Sequence, residues 1–202
     1  MKQSAEVYSN KGLKLSDVLV TVFLSLALGV VYHFWGSVYR LLSPLFFQAD
    51  ELVYGVWFLA AILAFLLIRK PGVAFIAEVA AAHVEILFGS EWGFQLLLYS
   101  VVQGLAAEAI FALFRYRSYS AAVAGMAGLA SAIGSFGVDV YYGYVLDYTP
   151  WMIAFKYILR GISGVIFAGF LGFALAKSLE ATGVTQLLRP VTAKDMESLH
   201  HD

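Results

Sequence analysis

The stretch VAFIAEVAAAHVEILFG at residues 73–89 decides the fold. It is apolar over a length that crosses a bilayer, yet it carries Glu78, His83 and Glu85. A charged side chain at the centre of a bilayer costs at least ~2.5 kcal/mol, so such groups face a cavity or a partner. The segment therefore reads as one wall of a binding site inside a bundle of membrane helices, and the rest of the chain must supply the other walls.

The composition fits a membrane setting. Of 202 residues, 61% are hydrophobic and 13% charged, against roughly a quarter charged in soluble domains. Aromatic residues make up 16%, and Trp and Tyr collect at bilayer interfaces and in ligand pockets. A net charge of -1 gives no reason to expect nucleic acid as a partner. The chain has no cysteine, which excludes disulfides and thiolate chemistry.

Six apolar spans are expected, at residues 18–35, 51–68, 73–89, 94–114, 121–142 and 151–179. Together they form one all-α membrane domain over residues 15–189, between a polar N-terminus (1–14) and a polar tail (190–202). Residues 36–50 contain Arg40, Pro44 and Asp50, are too short to span, and read as an interfacial or lid-like loop. The last span is longer than a bilayer needs and must tilt or protrude. Basic residues collect in cytoplasmic loops. The N-terminal lysines, Arg69, Lys70, Arg115, Arg117, Lys177 and Arg189 therefore lie inside, with both termini. Asp50, Glu91, Asp139 and Asp147 lie outside, with Arg40 as the exception. His200 and His201 read as solvated tail residues.

Small residues recur at helix-packing spacing: Thr21, Ser25 and Gly29, then Ala124, Gly128 and Ala132, then Ala168, Gly172 and Ala176. Such stripes let backbones approach closely. The last two are expected to pack within the bundle, whereas the first also suits docking to another membrane subunit.

At about 100° per residue, Glu78, Ala82 and Glu85 share a face and His83 lies off it. Glu85 then stands about one turn below the outer surface and Glu78 deeper. The fourth span offers Gln95, Tyr99 and Gln103 on one stripe, the fifth Ser131, Ser135, Asp139 and Tyr142, and the sixth Tyr148, Trp151 and Phe155 with Lys156 and Arg160 slightly turned. Trp35, at the outer end of the first span, is placed to close over the site. Two readings stand. Glu78 with Arg160 and Glu85 with Lys156 could be buried ion pairs that only hold helices together. Alternatively, the carboxylates, amides and rings bind a small aromatic, nitrogen-rich ligand: a carboxylate accepts paired hydrogen bonds from an aminopyrimidine, and aromatic faces attract an attached cation. Glu108 is expected to be structural. No HExxH, GxSxG, P-loop or metal-ligand spacing is present, so neither an enzyme nor a cofactor is implied.

The polar-faced third span AEVAAAHVEILFGSEWG, and YSVVQGLAAEAIFALFRYR after it, resemble the YkoE family, substrate-binding S components of energy-coupling factor (ECF) vitamin transporters. The likeness covers about residues 15–188. It implies a six-helix S-component bundle in the bacterial cytoplasmic membrane that binds thiamin or its hydroxymethylpyrimidine precursor. It further implies partners, a transmembrane coupling subunit and two cytoplasmic ATPases. S components carry a small-xxx-small motif on the first helix that meets the coupling subunit, which here matches Ser25 and Gly29 with Thr21. The family's glutamate facing an aminopyrimidine best matches Glu85, with Glu78 second.

Overall fold

The run LAAILAFLLI at residues 59–68 is apolar on every side, and a helix without a polar face sits either in a protein core or against lipid. In the computed structural model, which describes residues 12–183, all ten of these residues are buried. The other elements surround them. Helix α1 (Leu15–Leu42) is followed by a 3₁₀ helix (Ala49–Phe58) that runs directly into α2 (Leu59–Ile68). Then come α3 (Val73–Leu87), α4 (Gln95–Leu113), α5 (Ala121–Tyr141) and α6 (Pro150–Ser163), which passes through a π-helical segment (Gly164–Leu171) into α7 (Gly172–Ala181). The described residues form no strand. The tail, with His200 and His201, lies outside them.

Five helical units are long and apolar enough to cross a bilayer: Leu15–Leu42, Ala49–Ile68, Gln95–Leu113, Ala121–Tyr141 and Pro150–Ala181. The third expected span is shorter, with only 15 residues in α3 against the roughly 20 a spanning helix needs. It packs against α1, α2 and α4.

Two boundaries differ from expectation. Helix α1 continues past residue 35 to Leu42, because no helix breaker occurs before Pro44 and Arg40 in the last turn suits the negative end of the helix dipole. The expected loop at 36–50 thus shrinks to a short link before the 3₁₀ helix. The N-terminal part of the second span is 3₁₀ rather than α, which changes which side chains point inward.

The small-residue stripes all pack inside. Gly128 of α5 meets Gly164 so closely that a Cβ on Gly128 would lie 2.2 Å from the Gly164 carbonyl oxygen. Ala124, Ala132, Ala168 and Ala176 are buried as well. The expectation that Thr21, Ser25 and Gly29 form a docking surface is corrected by the same geometry: Thr21 and Ser25 are buried. A Cβ on Gly29 would stand 2.5 Å from Cβ of Val84, so this stripe is the α1–α3 contact. Leu19, Phe23 and Leu26 form the exposed face of α1 instead.

Two carboxylates pin α3 from outside its own chain segment. Glu108 of α4 accepts from the backbone N–H groups of Gly72 (2.6 Å), Ala74 (3.1 Å) and Phe75 (3.3 Å), an anion at a helix N-terminus where orphan donors and the dipole favour it. Asp17 of α1 accepts from Lys70 at 2.5 Å in the turn before α3. Glu108 is structural, as its sequence position led us to expect.

Candidate ligand-binding site

Glu78 and Glu85 stand two turns apart on the buried face of α3. His83 points away, its ring nitrogen against the Val79 carbonyl of its own helix. Where the 3₁₀ helix gives way to α2, the backbone N–H groups of Ala60 and Ala61 donate to side chains. The Tyr32 hydroxyl accepts from Ala60 at 2.8 Å and Glu78 accepts from Ala61 at 3.0 Å. Tyr32 in turn donates to Glu78 at 3.4 Å. The Trp57 indole N–H donates to both oxygens of Glu85, at 3.3 and 3.2 Å.

The opposite wall is a closed charge network. Arg160 of α6 is buried and holds Glu51 through two hydrogen bonds, from Nε at 2.6 Å and Nη2 at 2.7 Å. Its Nη1 donates to Ser135 at 2.8 Å and lies 3.2 Å from Asp139. Lys156 lies 3.1 Å from Asp139 and 3.5 Å from Glu51. Tyr99 and Tyr157 donate to Asp139 at 2.5 and 2.6 Å. Two cations meet two carboxylates, so the group is neutral as a whole. The bidentate Arg–carboxylate geometry is the strong form of such a pair.

These facts overturn the expected pairings of Glu78 with Arg160 and Glu85 with Lys156. Both bases are committed to Glu51 and Asp139. Among the described residues no Lys or Arg lies within ion-pair distance of either α3 glutamate.

Between the walls is a cavity of about 250 Å³, just under the roughly 300–1,000 Å³ of small-molecule sites and sized for a one- or two-ring molecule. Glu78, Glu85, Tyr99, Gln103, Asp139 and Lys156 line it, as the sequence led us to expect. The other five expected residues do not. Ser135 sits behind Arg160 and also donates to the Ala132 carbonyl. Gln95 accepts from the Tyr144 hydroxyl, and Tyr142 lies behind Tyr99, ring on ring at 6.2 Å. Trp151 is exposed and packs on Phe47 of the link after α1. Trp35 does not close the mouth, because α1 continues beyond it; its indole N–H donates to the Val53 carbonyl at 3.0 Å and braces the back of the 3₁₀ helix.

The 3₁₀ helix supplies what sequence reasoning missed. With three residues per turn, side chains at i and i+3 eclipse, so Glu51, Tyr54 and Trp57 form one inward column. Glu51 grips Arg160, Tyr54 lies under the Arg160 guanidinium at 3.8 Å, and Trp57 reaches Glu85. Tyr39 of α1 completes an aromatic box, with ring centroids 5.4 Å from Trp57 and 6.1 Å from Tyr54. The spacing ExxYxxW at 51–57 was the available signal, legible only with a period of three.

A bundle of apolar helices around a ligand-sized cavity lined by aromatic and charged side chains is the architecture of a multi-pass membrane protein with a small-molecule site. The model of a family described as "ABC-type cobalt transport system, permease component" matches residues 16–134. The chain is 36% identical to YkoE of Bacillus subtilis (strain 168), named as an HMP/thiamine permease protein, over 86% of this chain and 88% of that one. A solved structure described as the crystal structure of an S-component of an ECF transporter superposes with a TM-score of 0.85 at 33% identity, covering 94% of this chain and 95% of that one. The chain belongs to the YkoE family of ECF S components and is a membrane transport subunit rather than an enzyme.

Proposed function

We propose that the chain captures thiamin, or its hydroxymethylpyrimidine precursor, in the cavity between α3 and the 3₁₀ helix. It then passes the ligand inward across a bacterial cytoplasmic membrane, together with a transmembrane coupling subunit and two ATPases. The observation that carries this reading is the asymmetry of charge. Glu78 and Glu85 face the cavity without a basic partner, while Lys156 and Arg160, which would otherwise repel a cation, are neutralised by Glu51 and Asp139. In this reading Glu85 accepts a hydrogen bond from the amino group of an aminopyrimidine and the rings of Tyr39, Tyr54 and Trp57 cover the ligand, an arrangement that suits cation–π contact with an attached positive charge. The relatives, one named as an HMP/thiamine permease protein and one described as an ECF S component, support it.

A metal cargo, as in the description of the matching family model, fits the donor set poorly. Among the described residues no three His, Cys, Asp or Glu side chains come together to hold an ion.

The test is calorimetric titration of purified protein with thiamin and with hydroxymethylpyrimidine, followed by competition. Saturable thiamin binding supports the reading. Displacement of thiamin by the pyrimidine at equal concentration makes the precursor the main substrate. Binding of neither removes the proposal and leaves a helical scaffold.

A further inference from the structure

Among the described residues that line the cavity, Lys156 and Arg160 are the only bases. Arg160 is buried and gripped by the Glu51 fork, so its charge has no open face. Lys156 does reach open space. With Tyr39 and Tyr148 it lines both the main cavity and a second one of about 470 Å³ against the link after α1. Its nearest carboxylate is Asp139 at 3.1 Å, with Glu51 further off at 3.5 Å. Asp139 is itself fixed, since Tyr99 of α4 and Tyr157 of α6 each donate to one of its oxygens. The remaining charged groups are all acids: Glu78 and Glu85 on the α3 wall, and Asp50 with Glu51 in the second cavity. An anionic group entering either cavity therefore meets carboxyl groups and no free cation. A phosphate needs charge-assisted donors to replace the water it gives up.

We propose that the site rejects phosphate monoesters of its own ligand, and that Asp139 is the specificity-determining residue, acting through the Lys156 ammonium that it holds. The proposal rests on the ligand-binding reading above. Glu51, Asp139, Lys156 and Arg160 together are neutral. Without the Asp139 charge, two cations face one carboxylate. Glu51 is committed to Arg160 by bonds of 2.6 and 2.7 Å, so the surplus charge falls on Lys156, the base with a face on both cavities. A phosphate then has a partner. Selection against the ester thus comes from charge rather than from the size of the cavity, and one isosteric substitution separates the two.

The test is calorimetric titration of the full-length protein with two pairs of compounds: thiamin and thiamin monophosphate, then hydroxymethylpyrimidine and its phosphate. The readout is the ratio of ester to alcohol dissociation constants, taken on whichever alcohol binds. In the unmodified chain the ester is expected to bind at least about tenfold more weakly, the lower end of what a close charge pair contributes in a binding site. Asp139→Asn is expected to narrow the ratio by at least about tenfold, and adding Lys156→Met is expected to bring it back to the parent value. Equal binding of ester and alcohol by the parent overturns the proposal. So does an unchanged ratio in Asp139→Asn, which would make size the cause, or a gain for the ester that survives Lys156→Met. If Asp139→Asn cannot be recovered folded, Lys156→Met alone decides. It leaves the network one negative charge in excess, so the ratio should widen at least about tenfold, and an unchanged ratio overturns the proposal. A parent that binds neither alcohol nor ester sinks the functional reading and this one with it, whereas binding without discrimination sinks this one alone.

Discussion

Replacing Glu51 by Gln keeps the shape of the side chain and removes one negative charge from the quartet of Glu51, Asp139, Lys156 and Arg160. Arg160 is only 2% exposed and Glu51 is fully enclosed, so the loss cannot be made up by water. Asp139, at 3.2 Å from Arg160 and 3.1 Å from Lys156, would then be the single carboxylate facing two cations. Removing one partner of a buried pair typically costs about 3–5 kcal/mol, and for a chain of this length each kcal/mol shifts the melting temperature by roughly 2–4 °C. Glu51→Gln should therefore melt roughly 6–20 °C lower, read by tryptophan fluorescence in detergent. Adding Lys156→Met restores neutrality, and the double variant should recover part of the loss. A Glu51→Gln melt within about 2 °C of the parent would refute the network as a source of stability. A double variant no better than the single one would show that geometry, not charge balance, sets the cost.

Three further outcomes follow from the packing. Glu108→Ala leaves three backbone N–H groups at the start of α3 without their acceptor. It should lower stability by about 1–3 kcal/mol in a thermal melt. Gly128→Leu cannot be accommodated against the Gly164 carbonyl, and size-exclusion chromatography should show loss of monodisperse protein. Arg40 pairs with Glu91, but both are about half exposed, so Arg40→Ala should change stability by less than about 1 kcal/mol.

The parts of this molecule that follow a period of 3.6 could be read from its sequence. Glu78 and Glu85 on one face of α3, Tyr99 with Gln103 on α4, and Asp139 on α5 all reach the cavity because regular α-helices carry them. Residues 49–58 broke the reading: folded as 3₁₀, they bring Glu51, Tyr54 and Trp57 into one column that an α-helical wheel spreads around the axis. Missing Glu51 had a second consequence, since Arg160 and Lys156 then had no nearer partners to be assigned than Glu78 and Glu85. The stripe of Thr21, Ser25 and Gly29 carries no label for what covers it, because small residues serve equally well against a helix of the same chain or of another subunit. Trp35 was misplaced for a plainer reason. The helix that holds it continues for two more turns, and so the ring faces the flank of the 3₁₀ helix rather than the mouth.

The central claim is that the α3 carboxylates, which have no basic partner among the described residues, hold the aminopyrimidine end of the ligand. The affinity of Glu85→Gln for thiamin, measured by calorimetry beside the unmodified chain, tests it most directly. The substitution preserves shape and a Trp57 contact while removing the charge, so binding should weaken at least tenfold, about 1.4 kcal/mol, with the melting temperature little changed. An unchanged dissociation constant would contradict the claim and take Glu85 out of the site.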